Sequence, residues 1–539
     1  MAYTKPGVTV EYKQKTVSPN LTPPDLYAVV IGKGYNIRDI APDSTFEDAY
    51  AELYDNDLAT TVSISGLVDT DGSAVDSDSV YVDLIRSGAR KLLDPDTDFG
   101  YDGAGNVTIS GSLDSAFDEA AIKIGYREQR ITDNSLTEYE SVEDIETRVG
   151  KVDLFNPLTW GMNWALANAG KVVDGYGINN SNETTGHTSA LADLALSDDP
   201  YVLAPMTNES SIHTLYQTHV KSMSGVDNKR ERILVAGRSI SWVDADGTAT
   251  AGSDAATTNK AKTMSTIGDN AFTNGEKRVF WEYPDVLFAF QTMHLSQIKR
   301  DYMNNAFGGA YGMTDGEYAK LTKNTKLGDG TTLYKGTDIT NTVWAQLQTD
   351  VEANSMSYML DVYVPIPGFY LAACTAGQRS GLRSEQPLTN QPIAGPAQLK
   401  YAGDFFSETQ LNSAAEGGTF WMYQKNLFAP IVCRHQLSTD VSSTQKQEMS
   451  ITSALDYTGK FVRDGVAPYI GKYTITPSFI KMLRTVVLAQ GTFLVRDGTL
   501  NSFDLVSMNV DPIAADTILC TIEVGVKYPV NRIKFTLVF

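Results

Sequence analysis

The sequence predicts an α+β multidomain protein, with an α/β middle domain, a small all-β insert and a C-terminal domain built on its own helices. Three observations predict it. Strand and helix patterns mix from about residue 135 to 395, short period-two runs crowd residues 57–130, and from about 396 long helical patterns give way to strand alternation at the end. At 539 residues the chain has room for three or four cores at roughly 150 residues each.

Residues 1–25 carry Pro6, Pro19, Pro23 and Pro24, and within them Val8, Val10 and Tyr12 alternate with Thr9, Glu11 and Lys13. This reads as one short strand in an extended arm, with no hairpin partner nearby. Residues 26–56 open with Leu26-Tyr27-Ala28-Val29-Val30-Ile31, a continuous apolar run ending at Gly32, as in a strand buried on both faces. The β-rich insert, 57–130, holds Val80 to Leu84, Val107 to Ser110 and Ile122 to Tyr126, with a hairpin turn at Tyr101 to Asn106. The middle domain, 131–395, has a strand at Tyr201 to Pro205, a helix from Ser211 to Met223 and a strand at Arg232 to Gly237, with a surface loop from Asp244 to Thr258.

In the C-terminal domain, 396–539, a helical pattern over 441–467 precedes a second helix that Thr476 caps and Pro477 opens. Phe479, Met482, Leu483, Val486, Val487 and Gln490 share one face of it, leaving Lys481 and Arg484 off that face. The chain closes on alternation at Ile518, Cys520, Ile522, Val524 and Val526, a turn at Tyr528 to Asn531, and renewed alternation at Ile533, Phe535, Leu537 and Phe539. The expectation is a hairpin whose last strand runs to the terminus and is held by something, since chain ends ordinarily fray.

Composition narrows the function classes. Lys plus Arg number 44 and Asp plus Glu 65, a formal charge of −21, which argues against direct binding of nucleic acid. Apolar runs fall short of the roughly 20 residues that cross a bilayer, so no membrane insertion is expected. Nothing at Met1 to Gly7 resembles a secretion signal, so the chain is expected to stay in the cytoplasm where it is made. Cys374, Cys433 and Cys520 lie far apart among apolar neighbours and read as buried hydrophobes, implying neither disulfides nor zinc.

Several stretches have the residue types of catalytic or ligand-binding motifs without their spacing. Gly32 and Gly34 match the first glycines of a dinucleotide fingerprint, but Ile37 stands at the third and Pro42 follows where a helix belongs, so the stretch reads as a strand-ending turn. The Asp69 to Asp78 and Asp94 to Asp102 clusters place glycine at the wrong step for a calcium loop. His213 and His219, six apart, fall on different helix faces, and His187, His294 and His435 are scattered. No metal, cofactor or catalytic constellation is predicted, which favours a structural protein over an enzyme. The Asp-rich insert keeps open a hydrolase with a carbohydrate-binding β-module, and the acidic, motif-poor composition keeps open a virion shell protein.

The two ends resemble contractile tail sheath proteins of myophages. The opening Lys5-Pro6-Gly7-Val8-Thr9-Val10-Glu11, followed by Ala28 to Gly32, is similar to that family's arm and first strand. Leu411 to Gly418, Leu437-Ser438-Thr439-Asp440, the helix with Ile451 to Tyr457, Tyr469-Ile470-Gly471 and the closing Val524 to Phe539 are similar to its C-terminal part. Tyr201 to Pro205, Arg278 to Pro284, and Ala376-Gly377 with Arg379 to Leu382 are similar in kind, and order and spacing carry the likeness more than any one motif. Cys433-Arg434-His435 departs from it, and 57–130 falls where the family varies most.

The resemblance implies a subunit of six-fold rings stacked helically around a tail tube protein, with baseplate and tail terminator proteins at its ends, assembled in the host cytoplasm and resident in the virion tail. It implies a C-terminal domain whose sheet is completed by neighbouring subunits' terminal strands, with Val8, Val10 and Tyr12, and Ile533, Phe535, Leu537 and Phe539, as the exchanged residues. It implies a helix against the tube, for which Lys481 and Arg484 are candidates, and contraction driven by no nucleotide. A tailocin or injection-system sheath satisfies the same residues.

Overall fold

The computed structural model describes residues 24, 26–40, 62–64, 80–86, 89–93, 98–102, 106–109, 121–129, 135–150, 152, 156–178, 183–250, 257–299 and 318–537. They fall into two compact units, one spanning Leu26–Thr452 and one containing Ser453–Phe539.

The larger unit is organised by six parallel strands: β1 (Tyr27–Lys33), β2 (Val173–Ile178), β3 (Pro200–Pro205), β4 (Ile233–Gly237), β5 (Val279–Tyr283) and β6 (Phe420–Tyr423). Their spatial order is β2-β1-β3-β4-β5-β6, with antiparallel strands Thr137–Tyr139 and Val432–His435 closing the two edges. This is a doubly wound order whose direction reverses between β1 and β3. Continuous apolar strands such as Ala28 to Ile31 and Tyr201 to Ala204 are fully buried because helices cover both faces. On one face α1 (Glu183–Leu194) and α2 (Ser210–Met223) bring Leu191, Leu194, Ile212, Tyr216 and Val220 onto Val29, Ile31, Leu203 and Leu234. On the other, the helix Pro157–Ala169 crosses α3 (Phe369–Gly381), which is buried from Phe369 to Ser380. That crossing is close enough for a Cβ at Gly377 or Gly381 to clash with the backbone of Ala165 or Ala169.

The strand and helix expected at 201–223 and the strand at 232–237 are present within a residue or two. The residues flanking the turn expected in the insert pair: Phe99–Tyr101 with Val107–Ile109, and Asp102 accepts from the Asn106 amide, while residues 103–105 lie outside the described residues. A second sheet pairs Val286–His294 antiparallel with Met359–Pro367 along its whole length. One boundary moves. A C-terminal domain beginning at 396 would detach β6 and Val432–His435, yet both extend the large sheet, and the smaller unit begins at Ser453. Helix α4 (Met449–Val466) runs from one unit into the other, so the linker is helical and leaves no break in composition for the sequence to reveal.

The smaller unit contains the rest of α4, a helix α5 (Pro477–Asp497) and a two-stranded antiparallel sheet, β7 (Ser502–Val510) with β8 (Ile518–Gly525). Thr476 caps α5 as expected, its hydroxyl accepting from the Phe479 amide at 3.1 Å, and Gly498 ends it in the left-handed region at φ 92°. Phe503, Leu505 and Met508 of β7 and Ile518 and Ile522 of β8 pack with Val487, Ile480 and Leu483. By length and composition α5 is apolar enough to cross a bilayer, but its apolar stripe, with Val486, Val487 and Leu494 buried, belongs to this core.

Candidate inter-subunit site

The closing hairpin differs from the expectation. β8 pairs with β7, not with 533–537, and residues 526–537 lie outside any strand. Alternation specifies a strand but not its partner. β7, whose Phe503 packs against the bare backbone of Gly491 on α5, buries its apolar face there and takes the β8 edge nearest to it. The 526–537 segment is left with its apolar side uncovered: Ile533, Phe535 and Leu537 are 69%, 86% and 90% exposed. Val8, Val10, Tyr12 and Phe539 lie outside the described residues.

The β7–β8 sheet has two strands among the described residues, so each has an outer edge unpaired. The edges are unequal. β7 carries a register shift between Leu505 and Ser507 that turns Val506 outward, whereas β8 pairs without interruption from Ile518 to Thr521 and contains neither proline nor lysine. Bulges, prolines and lysines are what protect an edge from accepting another strand, and β8 lacks all three. Beside β8 runs an apolar groove of about 560 Å³, lined among others by Val466, Tyr469, Phe479, Leu483, Ile518 and Cys520. Tyr469 is 4% exposed, and its hydroxyl has no hydrogen-bond partner among the described residues. In the sequence Tyr469 stands only within the family-like Tyr469-Ile470-Gly471 motif, with nothing to mark it as buried; alternation of Phe503 and Leu505 is the local signal for β7, and the bulge after Leu505 breaks it.

Lys481 and Arg484 are exposed on α5, as their spacing predicted, beside exposed Leu488. From Pro477 to Arg496 the helix carries no acidic residue.

Elsewhere the polar residues hold the fold. The missing Cβ of Gly32 would lie 2.8 Å from Met206 Cβ, so the first glycine of the fingerprint-like stretch admits packing at the β1–β3 reversal, where a doubly wound sheet would otherwise open a crevice. His213 Nε2 donates to the Thr207 carbonyl at 2.9 Å while Nδ1 accepts from Arg238 at 3.1 Å; burial pushes its pKa down to about 3 and keeps it neutral. Asp83, His294 and Ser296 have the composition of a hydrolytic triad but different wiring. Ser296 Oγ donates to Asp83 Oδ1 at 2.8 Å and His294 Nε2 lies 2.7 Å from Oδ2, so the carboxylate takes both, and the serine hydroxyl donates to it and not to the imidazole. In the departing Cys433-Arg434-His435 stretch, Cys433 is buried, Arg434 pairs with Glu408 at 2.8 Å and His435 with buried Glu448 at 2.7 Å. Among the described residues no cluster of three or more His, Cys, Asp or Glu is placed to hold a metal.

No protein-family model matches the chain, and no curated protein matches it. Among solved structures it is similar to contractile sheath proteins. The helical sheath of the anti-feeding prophage in its contracted state aligns over 100% of this chain and 99% of its own, at 10% identity and a TM-score of 0.49. The sheath tail protein of Desulfitobacterium hafniense aligns over 97% and 100%, at 10% identity and 0.39. The contracted sheath of an extracellular contractile injection system, PVC, aligns over 76% and 87%, at 10% identity and 0.46.

Proposed function

We propose that this chain is the structural subunit of a contractile sheath, polymerising in stacked six-fold rings around a tail tube and contracting to drive that tube through the host envelope. The observation that carries the reading is that one chain holds both an unprotected strand edge on β8 and a terminal segment whose alternate apolar residues find no cover among the described residues. A free edge leaves backbone donors and acceptors to water, and an added strand satisfies them while its side chains fix the register. Burying Ile533, Phe535 and Leu537 would contribute about 1.5–3 kcal/mol each before the entropy of ordering the segment is subtracted. Repeated at every subunit, such links join a mesh that rings can rotate and slide within, so release of an extended lattice into a compact one needs no nucleotide.

Val8, Val10 and Tyr12 are assigned to the same exchange, at a neighbour's remaining edge, and baseplate and tail terminator proteins to the two ends of the tube. Phage tail, tailocin and injection system are equally served by this subunit. Negative-stain microscopy of the purified protein tests the reading: hollow striated cylinders are expected, while closed shells mean a capsid-like protein and dispersed monomers sink the assembly role. Removing residues 1–20 should leave a folded subunit, by circular dichroism, that no longer makes stable cylinders; cylinders as persistent as wild type would remove the arm from the mesh.

A further inference from the structure

We infer that the turn joining β6 to the edge strand Val432–His435 is a docking knob, and that its partner is the acidic helix Val142–Arg148, at the opposite edge of the same sheet, in a second copy of this chain. The inference rests on the sheath reading for its setting, in which many copies meet, and it asks for no added strand. Phe428 is 88% exposed and Leu427 53%, and Tyr334, which follows the neighbouring hairpin of Thr325–Lys326 with Thr332–Leu333, is 67% exposed. Large apolar side chains exposed together mark a surface that another molecule covers. Lys335 Nζ lies 5.5 Å from the centre of the Phe428 ring, which joins the two hairpins into one patch. The knob is also held in shape. The Phe428 amide donates to Asn426 Oδ1 at 2.9 Å, the Ala429 amide to the Asn426 carbonyl at 3.0 Å, and buried Gln424 donates from Nε2 to the Ala429 carbonyl at 3.0 Å. A side chain presented this way loses little freedom on docking.

Charge selects the partner. Residues 425–430 and 332–336 carry Lys425 and Lys335 and no acid; Asp404 adjoins them, next to the Gly403 amide that bonds the Gln424 carbonyl. In a chain of net charge −21 this is a cationic spot. Residues 138–148 are its complement, with five acids against one base. Asp144 is taken by Arg148 at 2.9 Å, while Glu138, Glu140, Glu143 and Glu146 are exposed around Val142, itself 42% exposed. An apolar side chain among carboxylates therefore meets a phenylalanine beside lysines, and the charges fix which surface is accepted.

Placement makes the contact one between copies. Both patches belong to the unit Leu26–Thr452, at the two edges of an eight-stranded sheet, so seven strand spacings of roughly 4.8 Å hold them about 34 Å apart. The knob leaves the C-terminal end of β6, whereas the helix follows Tyr139, which lies opposite Val173 at the N-terminal end of β2. Neither edge is bare there: Thr389 and Pro392 bridge to Cys433 and Val432, and Arg148 donates to the Glu138 carbonyl at 3.2 Å. Side chains and not strand addition make the contact. Unlike patches at diagonal corners join copies head to tail, and each repeat of the contact displaces the next copy along the strands as well as across the sheet, the condition for a helical stack.

The test uses the full-length protein with Cys520→Ser, which removes the exposed native thiol and leaves Cys374 and Cys433 buried. Val142→Cys and Phe428→Cys are made as separate variants and together in one chain, oxidised mildly, and run without reductant. The two single variants mixed should give covalent dimers at least ten-fold above either alone, and the doubly substituted chain should give a ladder of multimers. Lys335→Glu with Lys425→Glu, and separately Glu140→Lys with Glu143→Lys, should each lower sedimentable assemblies at least ten-fold at unchanged melting temperature. A chain with all four substitutions, or an equal mixture of the two double variants, should regain most of that yield. Self-crosslinking of either single variant at the level of the mixture, a ladder that stops at dimers, or charge reversals without effect overturns the inference. Cylinders without crosslinks between 142 and 428 refute this contact and keep the sheath; a ladder without cylinders keeps the contact and refutes the sheath; neither product refutes both.

Discussion

Glu282 sits fully buried on β5, its Oε1 accepting from the Thr375 hydroxyl at 2.7 Å, and burial raises its pKa from 4.5 to about 8. Asp174 on β2 is raised from 3.8 to about 7, by burial first and then by Glu138, its cross-strand neighbour, and Asp199. A carboxyl whose folded pKa lies above its unfolded value keeps its proton in the native state longer than in the unfolded one. Stability therefore falls as pH rises from about 4 through 8 and levels off above. His213 has the opposite sign: held neutral down to about pH 3, it costs stability as pH falls below its unfolded value of 6.5. Urea denaturation at pH 5, 7 and 9 should show Glu282→Gln losing less stability than wild type across that range, by on the order of 4 kcal/mol. Parallel curves for the two proteins would mean that Glu282 is ionised throughout.

At the scale of the element, what the sequence conveyed depended on whether the signal was local. The α5 start was legible because Thr476 and Pro477 act within one turn, and Thr476→Ala should cost about 1 kcal/mol in chemical denaturation through loss of the bond to the Phe479 amide. The strands of the large sheet were legible because burial on both faces forces continuous apolar runs. Gly377 and Gly381 stand out in the sequence only as part of a motif, since nothing local says that another helix crosses them. Their reason is the backbone of Ala165 and Ala169, more than two hundred residues away. Gly377→Ala forces that crossing apart and should cost about 1–3 kcal/mol, read as a lower thermal midpoint; an unchanged midpoint would mean the two helices are free to separate. The terminal hairpin failed for the same reason in reverse: the alternation of 518–526 and 533–539 is real, but the partner of β8 is chosen by which strand buries its face on α5. Of the candidate site, the exposed apolar residues of the last segment were legible, while the groove and the buried Tyr469 hydroxyl were not, because they exist only once α4, α5 and β8 are packed.

For the molecule as a whole, the net charge of −21 sets the terms on which it meets anything. Copies of so acidic a chain repel one another at long range, so the proposed assembly would have to rest on short-range burial and on local reversals of sign. The outer side of α5 is such a reversal, with Lys481 and Arg484 exposed, Arg496 further along, and no acid from Pro477 to Arg496. If an acidic tube is the partner of this helix, attraction acts across the contact while like charge keeps unassembled subunits dispersed. Exposed ion pairs are individually weak, on the order of 0.2–1 kcal/mol, but a sheath multiplies one contact by the number of subunits on the tube. Reversing both charges, Lys481→Glu with Arg484→Glu, should therefore leave the subunit's circular dichroism and melting temperature unchanged and reduce sheathed tubes at least ten-fold by electron microscopy. Wild-type assembly on tubes should weaken in the same direction as salt rises from about 0.1 to 1 M, where the screening length contracts from about 10 to 3 Å. Assembly of the double variant at wild-type yield would assign the α5 surface to solvent and leave the proposed strand exchange as the contact that would have to hold such a lattice.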